Sequence, residues 1–265
     1  MSRMRKYFWR NLYIIMMFVL LYLPIFYLIG YSFSDTKTMA HFQGFTLQHY
    51  SDLFNDIRLW QIVLATLLVA LLSSLIATII GTLGALWISR TSRSLARKTL
   101  LSLNNILMVS PDVIIGASLL IFFTCLHVQL GFWTVLLSHI AFSVPIVVLM
   151  VLPKLDEMEG SMLDAAADLG ATDWQALTRV VLPSLTSSIL AGFFMAFTYS
   201  LDDFAVTFFV TGNGFETLSI EIYSRARQGI SLEINALSGV LFLFALILVI
   251  GYYFISLHTQ RKRNK

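Results

Sequence analysis

Six long apolar runs leave this chain no route to a soluble fold. They cover, approximately, Leu12–Phe33, Gln61–Ser89, Leu100–Leu126, Phe132–Leu152, Leu185–Val210 and Ala236–Leu257. A bilayer's hydrocarbon core takes about 20 apolar residues per helix, and each run meets that length. Of the 265 residues 57% are hydrophobic and 12% charged, with a mean hydropathy of +0.78. Soluble domains carry about 25% charged residues. A chain this short has no core large enough for so much apolar surface, so lipid is its solvent. The expected fold class is therefore all-α: an integral membrane protein of six transmembrane helices in one domain, residues 1–265. Residues 12–33 form its first helix and about 60–257 a core of five. The first run follows an Arg-rich start, yet it is too long for the apolar part of a signal peptide and no small-x-small cleavage site follows it. It is expected to be retained.

Basic residues set the expected orientation. Arg3, Arg5, Lys6 and Arg10 precede the first run. Arg90, Arg93, Arg97 and Lys98 lie between the second and third. Lys154 and Arg179 lie between the fourth and fifth, and Arg261, Lys262, Arg263 and Lys265 end the chain. Of 18 Lys and Arg, the opposite face keeps only Lys37, Arg58, Arg225 and Arg227. Both termini and the loop at 154–183 are thus expected in the cytoplasm. The net charge of +3 reflects this topology, and no basic stripe interleaved with aromatics suggests nucleic acid. The single Cys125 excludes an internal disulfide or a cysteine metal cluster, and no metal site is expected. The outer loop at 34–60, rich in His41, Phe42, Phe45, Tyr50, Phe54 and Trp60, predicts a short extended piece and an interfacial helix.

The loop at 154–183 holds two helix-start patterns. Ser161-x-x-Asp164 approximates a capping box and Thr172-x-x-Gln175 fits one. Gly170 falls where the first short helix must stop in a left-handed residue. Pro183 ends the second helix or begins the next span. Ala165, Ala166 and Ala167 leave a thin flank that another protein can approach, and Asp164 and Asp168 share one helix face. By local physics alone this is equally a docking element or a self-capped polar loop.

Carboxylates at bilayer depth are costly and invite a functional reading. Asp112 lies about 18 Å along a helix starting at Leu100, past the middle of a core roughly 30 Å thick. Asp202 and Asp203 lie near the outer end of the fifth run. No Lys or Arg occupies a facing run, so a cationic substrate or a partner subunit must balance them. A structural reading stands beside this one: Ser110-Pro111-Asp112 also fits the start of a helix after a proline break. Asp202 and Asp203 also fit a helix end, and adjacent residues cannot both face one cavity. Phe132, Trp133, Tyr199, Phe208, Phe209 and Tyr223 fit either a cation–π wall or ordinary packing. His139, Ser143, Asn104 and Asn105 suit helix bridging. Ala77, Gly81 and Ala85 form a small-residue stripe for close helix contact.

The spacing Asp164-Ala165-Ala166, Gly170, Leu182-Pro183 resembles the EAA loop of ABC importer permeases, with Asp164 where that family usually has Glu. Further segments are similar to the spermidine/putrescine branch of the family: MVSPDVIIGASLLIFF, QLGFWTVLLSHIAFSVPIVV, MLDAAADLGA, SLDDFAVTFFVTG and SLEINALSGVLFL. The resemblance implies a type I importer permease fold. It makes Asp164, Ala165, Ala166, Asp168, Gly170, Leu182 and Pro183 the contact with an ATPase. It implies a second permease subunit, two ATPase subunits and an extracytoplasmic polyamine-binding protein as partners. Asp112, Asp202, Asp203, Tyr199 and Trp133 are then the expected substrate pathway. The chain lacks a Gly-rich phosphate loop ending in Lys-Ser/Thr, so ATP and Mg²⁺ are expected on the partner and no cofactor on this chain. The alternatives are an ABC permease for another small solute, such as another organic cation or an amino-phosphonate, or a stand-alone secondary transporter. The last calls for internal pseudo-symmetry, and no repeat is visible.

Overall fold

The computed structural model describes residues 2–263 except 37, 38, 40, 92, 159–164, 230 and 231; side chains at 2–6, 8, 245, 248, 249 and 251–263 stand outside the description. The chain divides into two compact units, Met1–Trp60 with Ile222–Lys265, and Gln61–Glu221.

The first unit pairs the chain's two ends. Helix α1 (Ser2–Tyr31) and the last helix, Leu232–Arg263, pack together, and α2 (Gln48–Asn55) packs on the latter. No residue in the apolar stretch of α1 is fully buried: Tyr22 and Phe26 touch Phe242 of the last helix, and most of the remaining surface is left for lipid or another chain. The outer loop takes the expected form: an isolated bridge joins Ser34 to Phe45, and α2 follows. Asp56 caps the next helix by accepting from the Leu59 N–H at 3.0 Å, and Arg225 joins Asp56 (3.1 Å) to Glu233 (2.7 Å).

The second unit is built around α6 (Phe132–Asp156). Two thirds of its most apolar stretch is buried (67%), against 44% for α3 (Ile57–Arg90) and 22% for α7 (Asp173–Asp202). The small-residue stripe of α3 performs as expected. Ala77 and Ala85 are fully buried, and a Cβ on Gly81 would meet the Val147 Cβ at 2.6 Å, so α3 and α6 approach almost backbone to backbone.

Two of the expected spans are broken. The third run is α4 (Ser94–Val109) and α5 (Asp112–Cys125), bent by 103°. Pro111 has no N–H and pushes the preceding Ser110 out of helical space (φ −70, ψ 137). The helix does restart at Asp112, but Ser110 does not cap it: its hydroxyl donates back to the Ile106 carbonyl at 2.7 Å. The fifth run ends at Asp202 and resumes as α8 (Ala205–Val210), with Asp203 extended between them. Four helices and the bent pair have the length and apolarity to cross a membrane, and the described apolar part of the last helix, Leu232–Phe244, is shorter than a span.

Leu182-Pro183 corrects the expectation in the other direction. Pro183 neither ends nor begins a helix, because α7 runs unbroken through it. The helix widens into π turns at Leu177–Val181, where the Leu182 N–H reaches the Leu177 carbonyl. The wider turn makes room for a ring that would otherwise strike the carbonyl four residues back.

Candidate functional site

Two features collect the residues singled out above: the loop between α6 and α7, and the junction of α5, α7 and α8.

In the loop, residues 165–168 form a helical turn. The Ala171 N–H reaches the Ala166 carbonyl (3.0 Å) and the Gly170 N–H the Ala167 carbonyl (2.8 Å), with Gly170 at φ +75. This is the Schellman arrangement, which wants a residue without a Cβ at that position. The Thr172 hydroxyl then accepts from the Gln175 N–H (3.3 Å) while the Gln175 side chain accepts from the Thr172 N–H (2.9 Å). That capping box opens α7. Ala165, Ala166 and Asp168 lie on the first turn, and Asp164 and the Ser161 box lie outside the described residues. Sequence reasoning missed the loop's apolar projections. Leu169 is 89% exposed and Trp174 71% exposed. A Trp within an otherwise polar loop was the available signal. The first turn and α7 leave Leu169 and Trp174 uncovered among the described residues.

The second feature surrounds Tyr199, near the end of α7. Its hydroxyl donates to Asp112 Oδ1 at 2.7 Å, so the last turns of α7 meet the first residue of α5. Phe142 of α6 stands edge-on to the Tyr199 ring at 5.0 Å. The carboxylates of Asp112, Asp202 and Asp203 all lie within electrostatic reach of that phenol. The neighbouring Asp202 and Asp203 diverge. Asp203 is buried, and its Oδ2 accepts from the N–H (2.8 Å) and hydroxyl (2.7 Å) of Thr207, holding the first turn of α8. Asp202 is exposed at the end of α7. Among the described residues no Lys or Arg forms an ion pair with Asp112 or Asp202.

Helix α8 is drawn in closely. A Cβ on Gly116 of α5 would meet the Phe209 ring at 2.7 Å and the Val206 Cα at 3.0 Å. Thr134 of α6 donates to the Val210 carbonyl at 2.7 Å. His139 bridges helices as expected, contacting Ser200 (2.6 Å) and Thr207 (2.9 Å). Asn104 reaches the Pro145 carbonyl at 3.4 Å, whereas Asn105 is exposed. Ser143 does not bridge: its buried Oγ has no hydrogen-bond partner among the described residues. The aromatic set is not one wall. Phe132 packs on Trp133 and Phe215, Phe208 on Phe204 and Phe209, and Tyr223 lies under Arg227. Trp133 is not gathered with Tyr199. It is 70% exposed and nine residues before Phe142 on α6, about 14 Å along the axis.

Broken helices around intramembrane carboxylates, joined by one long helix to an exposed loop, are features that membrane-embedded transport subunits share. The chain belongs to the binding-protein-dependent transport system inner membrane components, whose family model matches residues 77–264. It is therefore a multi-pass permease of the cytoplasmic membrane. It is 39% identical over 231 residues to the spermidine/putrescine transport system permease protein PotC of Escherichia coli (strain K12), covering 87% of each chain. It is 32% identical over 240 residues to that organism's putrescine transport system permease protein PotI, covering 88% of this chain and 85% of the relative. In fold it is similar to a chain of a bacterial ABC transporter involved in the import of the acidic polysaccharide alginate. That likeness has a TM-score of 0.75 at 18% identity and covers 96% of both chains.

Proposed function

We propose that this chain forms part of the polyamine pathway of an ATP-driven importer. Asp112 and Asp202 are its cation-binding groups, Tyr199 orients Asp112, Asp203 anchors α8 beneath them, and Trp133 stands toward the outer mouth. The two relatives named above share putrescine in their names. The observation that carries the substrate class is the pair of carboxylates without a Lys or Arg partner beside the Tyr199 phenol. Such a pair suits an organic dication and repels an anion.

The residues 1–265 act as one permease domain of six spans with both termini in the cytoplasm, as the distribution of Lys and Arg supports. The α6–α7 loop then faces the nucleotide. Asp164, Ala165, Ala166, Asp168 and Gly170 dock on one of two ATPase subunits, which hold ATP and Mg²⁺. Leu182 and Pro183 lie where the widened turn of α7 leaves that loop. A second permease subunit completes the pathway, and an extracytoplasmic binding protein delivers the polyamine.

Mechanism follows from the continuity of α7. Its 30 residues span about 45 Å and join the docked loop to Tyr199 and Asp202 in one rigid piece. Closure of the ATPase pair tilts this lever and separates or rejoins Tyr199 and Asp112. That changes access to the carboxylates.

The test is uptake by proteoliposomes carrying the complete importer. Saturable, ATP-dependent putrescine uptake, resistant to excess anionic oligosaccharide, is expected. Uptake of an anionic solute in place of putrescine would overturn the reading.

A further inference from the structure

We infer that His139 is a positioning residue of the pathway, a clasp that fixes both sides of the α7–α8 break and so holds Tyr199 against Asp112. The inference rests on the pathway reading above.

Hydrogen-bond bookkeeping fixes the direction of the clasp. Thr207 has one hydroxyl proton, and it goes to Asp203 Oδ2 at 2.7 Å, because a carboxylate can only accept. Thr207 Oγ1 must then accept from His139 Nε2, 2.9 Å away. With its proton on Nε2, the ring accepts at Nδ1, so the Ser200 hydroxyl donates to it at 2.6 Å. With the Ser200 proton on His139, Ser200 can only accept from Ser73 of α3, 2.9 Å away, in competition with the Ala70 carbonyl 3.2 Å from the same Ser73 hydroxyl. One neutral imidazole on α6 therefore orders a chain of donors from α3 through α7 to the carboxylate that starts α8. The side chains of His139, Ser200, Ser73 and Thr207 are all buried, so water does not replace a missing member cheaply.

The ring reaches Tyr199 by two routes. Ser200 is its chain neighbour. His139 also lies 4.9 Å from the Phe142 ring, which stands edge-on to Tyr199. Neither route touches solute, so the effect on transport must pass through the Tyr199–Asp112 bond.

His139→Phe keeps the ring and removes both hydrogen bonds, whereas His139→Gln keeps a donor that reaches Thr207. The importer is assembled with its ATPase and binding protein, and putrescine uptake is divided by ATP hydrolysed. His139→Phe should lower that ratio about tenfold, the size of one lost charge-assisted contact. His139→Gln should recover most of it. His139→Phe placed on Tyr199→Phe should add almost nothing, because both act through one bond. An unchanged ratio, or losses that multiply in the double variant, would overturn the inference. If His139→Phe fails to insert, Ser200→Ala with Thr207→Val carries the same expectation. A second readout needs no solute: the thermal midpoint of the purified chain in detergent. Coupled positions give a double variant that unfolds with the lower single variant; midpoint losses that add would overturn the clasp. Failure of the unaltered complex to move putrescine defeats the pathway reading, and the thermal cycle still decides the clasp.

Discussion

The α6–α7 loop and the α5–α7–α8 junction are built by opposite means. The hydrogen bonds that shape the loop between Ala165 and Gln175 join residues at most five positions apart, from Ala166 with Ala171 to Thr172 with Gln175; longer reaches, Ser184 with Met158 and Arg97 with Asp156, fall at its flanks. The junction is closed by contacts across 87 residues (Tyr199 with Asp112), 127 (Ser73 with Ser200) and 68 (His139 with Thr207). The loop bears Leu169 and Trp174 outward, whereas His139, Ser200, Asp203 and Thr207 of the junction are buried and bonded to one another, with Tyr199 and Asp202 left exposed beside them. A region made of local bonds keeps its shape while it rides on a moving partner. A region made of distant bonds changes shape when any one of its helices moves. The first suits receiving motion and the second suits being switched by it, and α7 connects them.

The comparison breaks most severely at Asp203. Asp203→Ala strands the Thr207 hydroxyl and the first N–H groups of α8 in a buried site, and should destabilise the chain by about 3 kcal/mol. Thermal unfolding in detergent measures it; a loss below about 1 kcal/mol would mean the junction is not a coupled network. Next comes Gly170. Nothing lies within 4 Å of a Cβ there, so a larger residue meets no internal wall, only a left-handed backbone costing about 1–2 kcal/mol. Gly170→Arg should abolish uptake while the chain still inserts, and Gly170→Asn, which tolerates that backbone, should retain it. Equal behaviour of the two in a transport assay would remove the loop from docking. Thr172→Ala costs about 1 kcal/mol through the lost cap and should leave the junction unaffected. A hydrogen-exchange change confined to 165–180 is expected.

The smallest effect is a pH dependence in the first unit. The Leu59 N–H and then Arg225 hold the Asp56 carboxyl below its usual 3.8. A lowered value means the carboxylate's contribution is complete above the ordinary range and is lost as pH falls through the depressed one. Unfolding midpoints should hold down to about pH 4 and drop below it, and Asp56→Asn should flatten that drop.

The difference between the two regions also explains what the sequence made legible. The Gly170 stop and the Thr172–Gln175 box were readable because the partners sit within one turn, where spacing alone fixes contact. The break before Asp112 was readable for the same reason, since Pro111 acts on its own neighbour. Passage of α7 through Pro183 was not, because a π turn and a helix end leave the same residues. The pairing of Tyr199 with Asp112, and the inward turn of Asp203 against the outward Asp202, depend on helices meeting at a distance. Gly116 gave no sign that it makes room for α8.

Coupled uptake by Asp112→Asn/Asp202→Asn measures the central claim most directly. In the reconstituted importer this double variant should go on hydrolysing ATP under control of the binding protein, while putrescine uptake per ATP falls at least tenfold, the size expected for a lost charged contact. Uptake per ATP equal to that of the unaltered chain would contradict the assignment of these two carboxylates to the path of the cation.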